Sequence, residues 1–442
     1  MSSSGPPAVR AAYLFGVVVV VALAVLSIVT FVEGLNPGAV GFDFRGAFLP
    51  AAHDVRGGES PYPPVEGPRL ASQTAYVYPP LLAYALIPFT IVSQTAAIVL
   101  AVIGVAALLV ATLAVLGVRD VRCYAAMFLW APTVNELHTA SASVLVTFAA
   151  ALAWRYRTTV LPLGVTVGLG IATKLILWPL LVWTVATRRL RATGLASVVG
   201  GGITLVLWSL LEFDGLERYP GMLRRLAELE AEDSYSLLGG LAALGLGDVA
   251  ARVLAFAFGI VLLGACVAFA RRRDDFRSFT FALAASLALT PIVWLHYLVL
   301  LLVPLAIARP RFSAVWLLPV LLFLTPLNGN GESIQPLLPA LVAAAVITLV
   351  LVEPEPPLSS LRRRRPQDHR DALVRVERTG PLLGEKVVDV RGRLLLRLED
   401  DDLVAVRQRL PVLSLLTAEA DDPLERLPVV DLEAHVIGEA AT

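Results

Sequence analysis

Apolar runs fill the first 352 residues, and polar segments interrupt them at intervals close to the length of a membrane-spanning helix. The runs lie at 13–32, 95–117, 123–137, 142–154, 159–173, 175–187, 195–211, 249–270, 279–293, 294–308, 312–325 and 337–352. Since about 17 to 25 apolar residues cross a bilayer, the pattern predicts about twelve helical spans, the shorter ones extending into their loops or sheltered by neighbours. Loops rich in Arg stay in the cytoplasm. The basic clusters are Arg119 with Arg122, Arg155 with Arg157, Arg188 with Arg189 and Arg191, the 271–277 cluster, Arg309 with Arg311, and 362–365. Placing all of them inside puts both termini in the cytoplasm. The segments near Asp43, His138, Lys174, 212–247, Trp294 and Asn328 then face outward. The apolar stretch 78–92 resists this scheme, because a crossing there would invert every later loop. Pro79, Pro80 and Pro88 disfavour a continuous helix, so it reads as a re-entrant or outer-surface element.

The segment 33–80 is the one long, polar, glycine- and proline-rich interruption in the first two thirds of the chain, and a loop of that length in an economical chain is usually functional. Its first half, Gly41-Phe42-Asp43-Phe44-Arg45, sets a carboxylate between two phenylalanines where a water-filled cavity would meet headgroups. Its second half, Gly57-Gly58-Glu59-Ser60-Pro61-Tyr62-Pro63-Pro64, is a stiff turn back toward the membrane. The chain thus divides into a membrane domain over 1–352, a Pro- and Arg-rich linker over 353–371 and a charged cytoplasmic tail over 372–442. The linker's arginines suit anionic lipid. Alternation around Val387 and over 394–398 favours short strands in the tail, making it a small β-rich module or a partly disordered segment.

Composition agrees with the pattern. The chain is 57% hydrophobic and only 16% charged, with a mean hydropathy of +0.74, values outside the range of soluble globular proteins. A formal net charge of +0, with the basic residues held in short clusters, gives no footprint for nucleic acid. The two cysteines, Cys123 and Cys266, lie inside apolar runs and read as packing residues. The run 13–32 is longer than the core of a secretory signal and reads as a retained signal anchor in a multi-pass cell-membrane protein. Lysine is nearly absent, with Lys174 and Lys386 alone against abundant Arg, a bias typical of GC-rich bacterial genomes that points to an actinobacterial source.

Sidedness selects the candidate chemistry. Asp43, Arg45, His53, His138, Lys174 and His296 all fall on the outer side. Asp43 is placed to accept a proton from a hydroxyl if burial raises its pKa; the alternative is a helix cap or a partner for Arg45. Lys174 sits between two apolar runs, where a cation costs roughly 2.5 to 3.5 kcal/mol on insertion scales. It either holds an anionic group such as a phosphate or snorkels to headgroups. His296, in Trp294-Leu295-His296-Tyr297, either donates to a phosphate oxygen or belongs to an aromatic belt. His138 and Glu136, in Asn135-Glu136-Leu137-His138, share that ambiguity, and His53 and Tyr62 are further polar groups of the outer loop. No nucleotide loop, HExxH pattern or Asp-x-Asp pair occurs, so neither a cofactor nor a metal site is expected, and a leaving phosphate would have to be met by Lys, Arg or His.

The order of motifs resembles the GT-C membrane glycosyltransferases of family 87. The features are an outer loop with an early Asp43, Ala51-Ala52 and Gly58-Glu59-Ser60-Pro61-Tyr62, then Tyr78-Pro79-Pro80, then the 174–179 segment, and finally Thr290-Pro291 through Trp294-x-His296. The likeness covers roughly 13–352 and leaves out the tail. Where the family often carries Ser before the Trp and a paired His-His, this chain has Val293 and Tyr297. The resemblance implies an all-α polytopic membrane protein of GT-C type. Its implied reaction is an inverting, metal-independent transfer of a sugar, typically mannose, from a polyprenyl-phosphate carrier to a lipid-linked or cell-envelope acceptor. Asp43 would be the general base, and Lys174, His296 and Arg45 would contact the donor phosphate or the acceptor. A transporter or lipid-carrier flippase is the alternative from another class, but the paired broken helices of related halves common in transporters are not found.

Overall fold

The computed structural model describes residues 40–72, 74–230, 234–325 and 337–352, together with the backbone of six short strand segments between Val374 and Val436. The run 13–32 and the linker 353–371 lie outside the described residues. Two compact units divide the chain, Met1–Glu355 and Pro356–Thr442.

Among the described residues of the first unit, three helices are long and apolar enough to cross a membrane, Gln94–Val115, Leu190–Ser209 and Asp248–Arg271. At 1.5 Å per residue they are about 33, 30 and 36 Å long, which matches a hydrocarbon core of about 30 Å. The other apolar runs form shorter pieces, and their breaks have local causes. The run 123–137 is split at Trp130 into Val121–Phe128 and Ala131–Thr139, with Pro132 in the first turn of the second piece. The run 175–187 opens as a 3-10 turn before Pro179–Ala186, and 294–308 does the same before Leu302–Ala308. The stretch 78–92 holds only Leu81–Ala85 and a 3-10 turn over Ile87–Ile91, too short to cross.

The short pieces run out and back in three open hairpins whose arms pack on neighbouring elements rather than on each other. The first rises through Ala131–Thr139, turns at Ala140 in a left-handed conformation (φ 51°) and returns through Ser143–Arg155. The second rises through Val160–Thr173, breaks at Lys174 and returns through Pro179–Ala186. The third rises through Asp275–Ala288 and returns through the 3-10 turn Leu295–Leu301 into Leu302–Ala308. Their basic ends lie together. Asp275 accepts from Arg189 at 2.6 Å and lies 3.4 Å from Arg157, Asp120 accepts from the Phe312 amide at 3.0 Å, and Arg277 and Arg309 reach the carbonyls of Leu351 and Leu349. The Arg clusters among the described residues therefore share one end of the bundle, and Asp43, His138, Lys174 and His296 share the other; the 362–365 cluster lies outside the described residues.

Close helix packing holds the hairpins. Val160–Thr173 lies against Leu190–Ser209, where a Cβ on Gly168 would come within 2.7 Å of the Ala196 carbonyl. Only glycine permits that approach, the small-residue contact that substitutes for hydrophobic driving force in an apolar solvent. Cys123 and Cys266 are buried packing residues, the latter against Ser278 at 3.4 Å.

In the second unit six short strands follow one another in sequence order. The neighbours are antiparallel except Leu403–Arg407 and Val430–Asp431, which run parallel, and Leu395 stands opposite both Val387 and Ala405.

Candidate functional site

The non-basic ends of the hairpins meet the segment that runs on from Gly41. The Gly41 amide donates to the His138 carbonyl at 2.6 Å, tying the start of the segment to the first hairpin. From there the chain forms a helical turn through Asp43, then Phe44–Phe48 and Leu49–Arg56. Phe44, Phe48, Ala51 and Ala52 are its buried face, so the Ala-Ala pair of the sequence motif is packing.

A strap over 75–80 follows, and its backbone has a specific solution to burial. Three successive carbonyls, of Val77, Tyr78 and Pro79, accept from the hydroxyls of Tyr219, Tyr62 and Tyr76 at 2.9, 2.9 and 2.6 Å. Buried extended chain without a strand partner needs side-chain or water donors for these groups, and here the tyrosines supply them. Tyr62 also stacks on Trp208, 5.3 Å between ring centroids, and packs on Gly215, whose φ of +82° and close approach exclude a side chain. Tyr62 is thus a structural clasp that holds Tyr78 in place.

Between these elements lies a cavity of about 240 Å³. Its polar lining is Asp43, Tyr78, Asn135, Thr139, Glu230, Tyr235, Trp294 and His296. His296 is 3% exposed. Its Nδ1 lies 3.1 Å from Asn135 Oδ1, its Nε2 lies 3.1 Å from Ser141 Oγ, and Nε2 is 3.9 Å from Asp43 Oδ2. Ser141 also hydrogen-bonds Asp43, so it stands between carboxylate and imidazole. Although 20% of the Asp43 side chain still touches the cavity, enclosure by protein pushes its pKa up to about 6, against opposing effects of the Ser141 hydrogen bond and the Lys174 charge.

Lys174 is held elsewhere. It is 5% exposed and does not line the cavity. Its Nζ donates to Ser143 Oγ at 3.0 Å and sits 3.3 Å from the centre of the Tyr297 ring and 5.2 Å from that of Tyr78. A break in the helix after Thr173 points the ammonium into the hairpin tips, and the two aromatic rings separate it from the open space. Tyr297, at the position where the resemblance leads one to expect a second histidine, is the face on which the lysine rests. Glu136 is buried beside this group, with Oε1 accepting from the Val144 amide at 2.8 Å.

The structure therefore brings Asp43 and His296 together on the cavity, sets Lys174 and Glu136 behind its wall, and leaves Arg45, His53 and His138 off the lining. His53 is exposed on Leu49–Arg56. Sequence reasoning passed over Ser141, Ser143, Tyr235 and Glu230 as site residues. The one available signal for Glu230 is that it ends an amphipathic helix, Tyr219–Leu229, whose buried residues Tyr219, Met222 and Leu226 point the same way.

Residues 76–295 match the model of glycosyltransferase family 87. This stretch, just under half of the chain, is similar to a glycosyltransferase domain, and apolar helices of spanning length accompany it. The match takes in Glu136, Lys174, Glu230 and Trp294; Asp43 lies before it and His296 one residue beyond. No curated protein and no solved structure matches the chain.

Proposed function

We propose that the protein transfers a sugar, mannose first among candidates, from a polyprenyl-phosphate carrier to a lipid-linked or cell-envelope acceptor on the outer face of the cell membrane. The carrying observation is that Asp43 faces a half-open cavity with Nε2 of His296 3.9 Å away, beside a family 87 match. Asp43 removes the proton of the acceptor hydroxyl. The acceptor oxygen bonds to the anomeric carbon as that carbon's bond to the phosphate oxygen breaks, and the electron pair departs with the polyprenyl phosphate. Attack opposite the leaving group inverts the centre. Ser141, hydrogen-bonded to Nε2 of His296, holds the carboxylate in place, and the proton leaves Asp43 to water at the cavity, restoring the carboxylate. Lys174 supplies positive potential from behind the Tyr78 and Tyr297 rings, which complements a phosphate at the cavity mouth.

The test is transfer of a labelled sugar from polyprenyl phosphate by the purified protein. Asp43→Asn keeps the shape of the site and loses the base, so transfer falls by roughly 10²- to 10⁴-fold. Equal rates in both proteins would remove Asp43 from the reaction.

The membrane topology that goes with this reading has about twelve spans and both termini in the cytoplasm. It is supported by the common end shared by the Arg clusters near Asp275 and Phe312. A reporter fused after Val352 is expected to read as cytoplasmic, and an external signal would invert the whole scheme.

A further inference from the structure

We infer that Asn135 is a positioning residue that keeps the hydrogen of the His296 ring on Nδ1 and thereby makes Asp43 a stronger base. The first hairpin supplies both groups that grip the ring. Asn135 lies on Ala131–Thr139, and its Oδ1 is 3.1 Å from Nδ1. Ser141 follows the left-handed Ala140, and its Oγ is 3.1 Å from Nε2. Trp294 stacks on the buried imidazole at 26° and holds its tilt. An amide oxygen accepts and cannot donate, so Nδ1 carries the hydrogen, and in a neutral ring Nε2 turns a lone pair toward Ser141.

Ser141 has one hydrogen and two claimants, Nε2 and the Asp43 carboxylate. While Asp43 is ionised, serving one acceptor leaves the other unmet, and Oδ2 and Nε2 face each other at 3.9 Å with lone pairs on both. A proton on Asp43 resolves the conflict. The new O–H donates to Ser141 Oγ, the Ser141 hydroxyl turns and donates to Nε2, and Nδ1–H donates to Asn135; no other proton moves. The opposite tautomer reverses the balance, because Nε2–H would donate to Ser141 and Ser141 to the carboxylate, leaving the ionised form satisfied. Asn135 thus favours the state that Asp43 reaches on taking a proton from a hydroxyl. The other titratable groups around the trio are Tyr78, Tyr297, Glu136, Lys174 and Glu230, and none of them hydrogen-bonds a ring nitrogen.

The effect on base strength rests on the glycosyltransferase reading; the place of the ring hydrogen does not, and the experiment separates the two. The full-length protein is labelled with 15N-histidine, reconstituted in bilayers and recorded by solid-state NMR, where protonated and bare ring nitrogens separate well. Subtracting the spectrum of His296→Gln isolates the ring from the other histidines. With Asp43 ionised, well above pH of about 6, wild type is expected to show Nδ1 protonated and Nε2 bare. Asn135→Leu is expected to lose that preference, and Asn135→Asp, whose oxygens accept only, to keep Nδ1 protonated. In transfer assays, the acid limb of kcat/KM in Asn135→Leu is expected to move down by about one pH unit, with the donor KM held within about twofold. Should Asn135→Leu fail to fold, Asn135→Ala carries the same comparison. A wild-type ring protonated on Nε2, or on both nitrogens, overturns the inference. So does a variant that keeps the wild-type tautomer, or one that loses transfer while its acid limb stays in place. The expected tautomers without transfer from any donor would sink the glycosyltransferase reading and leave Asn135 as the residue that sets the ring.

Discussion

Asp43 carries two pH signatures of opposite sign. Its pKa is raised to about 6 by burial, so the carboxylate form needed for base chemistry is lost as pH falls through that value. Transfer is expected to fall about tenfold per pH unit below about 6, measured as kcat/KM against pH. For stability the direction reverses. Between the ordinary carboxyl value and about 6 the folded chain holds a proton that the unfolded chain does not, so this group's contribution improves as pH falls through that window. Lys174 connects to the same measurement, because its charge holds the Asp43 pKa down. Lys174→Met is expected to move the acid limb upward by about one pH unit while the donor KM stays nearly constant. A limb that stays in place, with donor KM raised at least tenfold, would instead make Lys174 a direct phosphate ligand. Asp43 and His296 stand out in the sequence because polar residues at the ends of apolar runs are few. Ser141 and Glu230 do not, since a serine in a turn and a glutamate in a charged segment have ordinary solvated explanations. Only the fold shows that one bridges the carboxylate and the imidazole and that the other is buried against the cavity.

Among elements, the strap over 75–80 is where sequence and structure meet most closely. The order Pro-Tyr-Pro and then Tyr-Pro-Pro marks a stiff return to the membrane, but nothing in it reveals that tyrosines from three places cap three consecutive carbonyls. Tyr62→Phe removes one of those caps and keeps the ring. Leaving the Tyr78 carbonyl without its buried donor is expected to cost about 1 to 3 kcal/mol, read from denaturation in detergent, and to lower transfer through the loosened Tyr78 wall. Unchanged stability would mean that water or a shifted neighbour replaces the hydroxyl. The hairpin tips follow the same lesson. Lys174 and His296 mark where apolar runs break, and such breaks are legible, but their convergence depends on helix lengths and on glycine contacts such as Gly168 against Ala196.

For the whole molecule, the Arg clusters were informative because charge asymmetry between loops is a property of the chain that survives any error in span boundaries. Their meeting at one end follows from that asymmetry. Span length was less legible, since hydropathy alone cannot distinguish a full crossing from one arm of a hairpin. Those arms, Ser143–Arg155, Val160–Thr173 and Asp275–Ala288, are about 20 Å long, against 30 to 36 Å for the three long helices. On the proposed topology the tips stop about 10 Å short of the outer rim, and Asp43 and His296 lie below the plane of the headgroups. Catalysis then becomes a matter of hydrophobic mismatch. For the proposed polyprenyl-phosphate donor, a thin bilayer would bring the phosphate down to the tips, whereas a thick one would hold it above them. Turnover in reconstituted vesicles is expected to decline as acyl chains lengthen at constant headgroup, and a rate indifferent to thickness would place the site at the membrane surface.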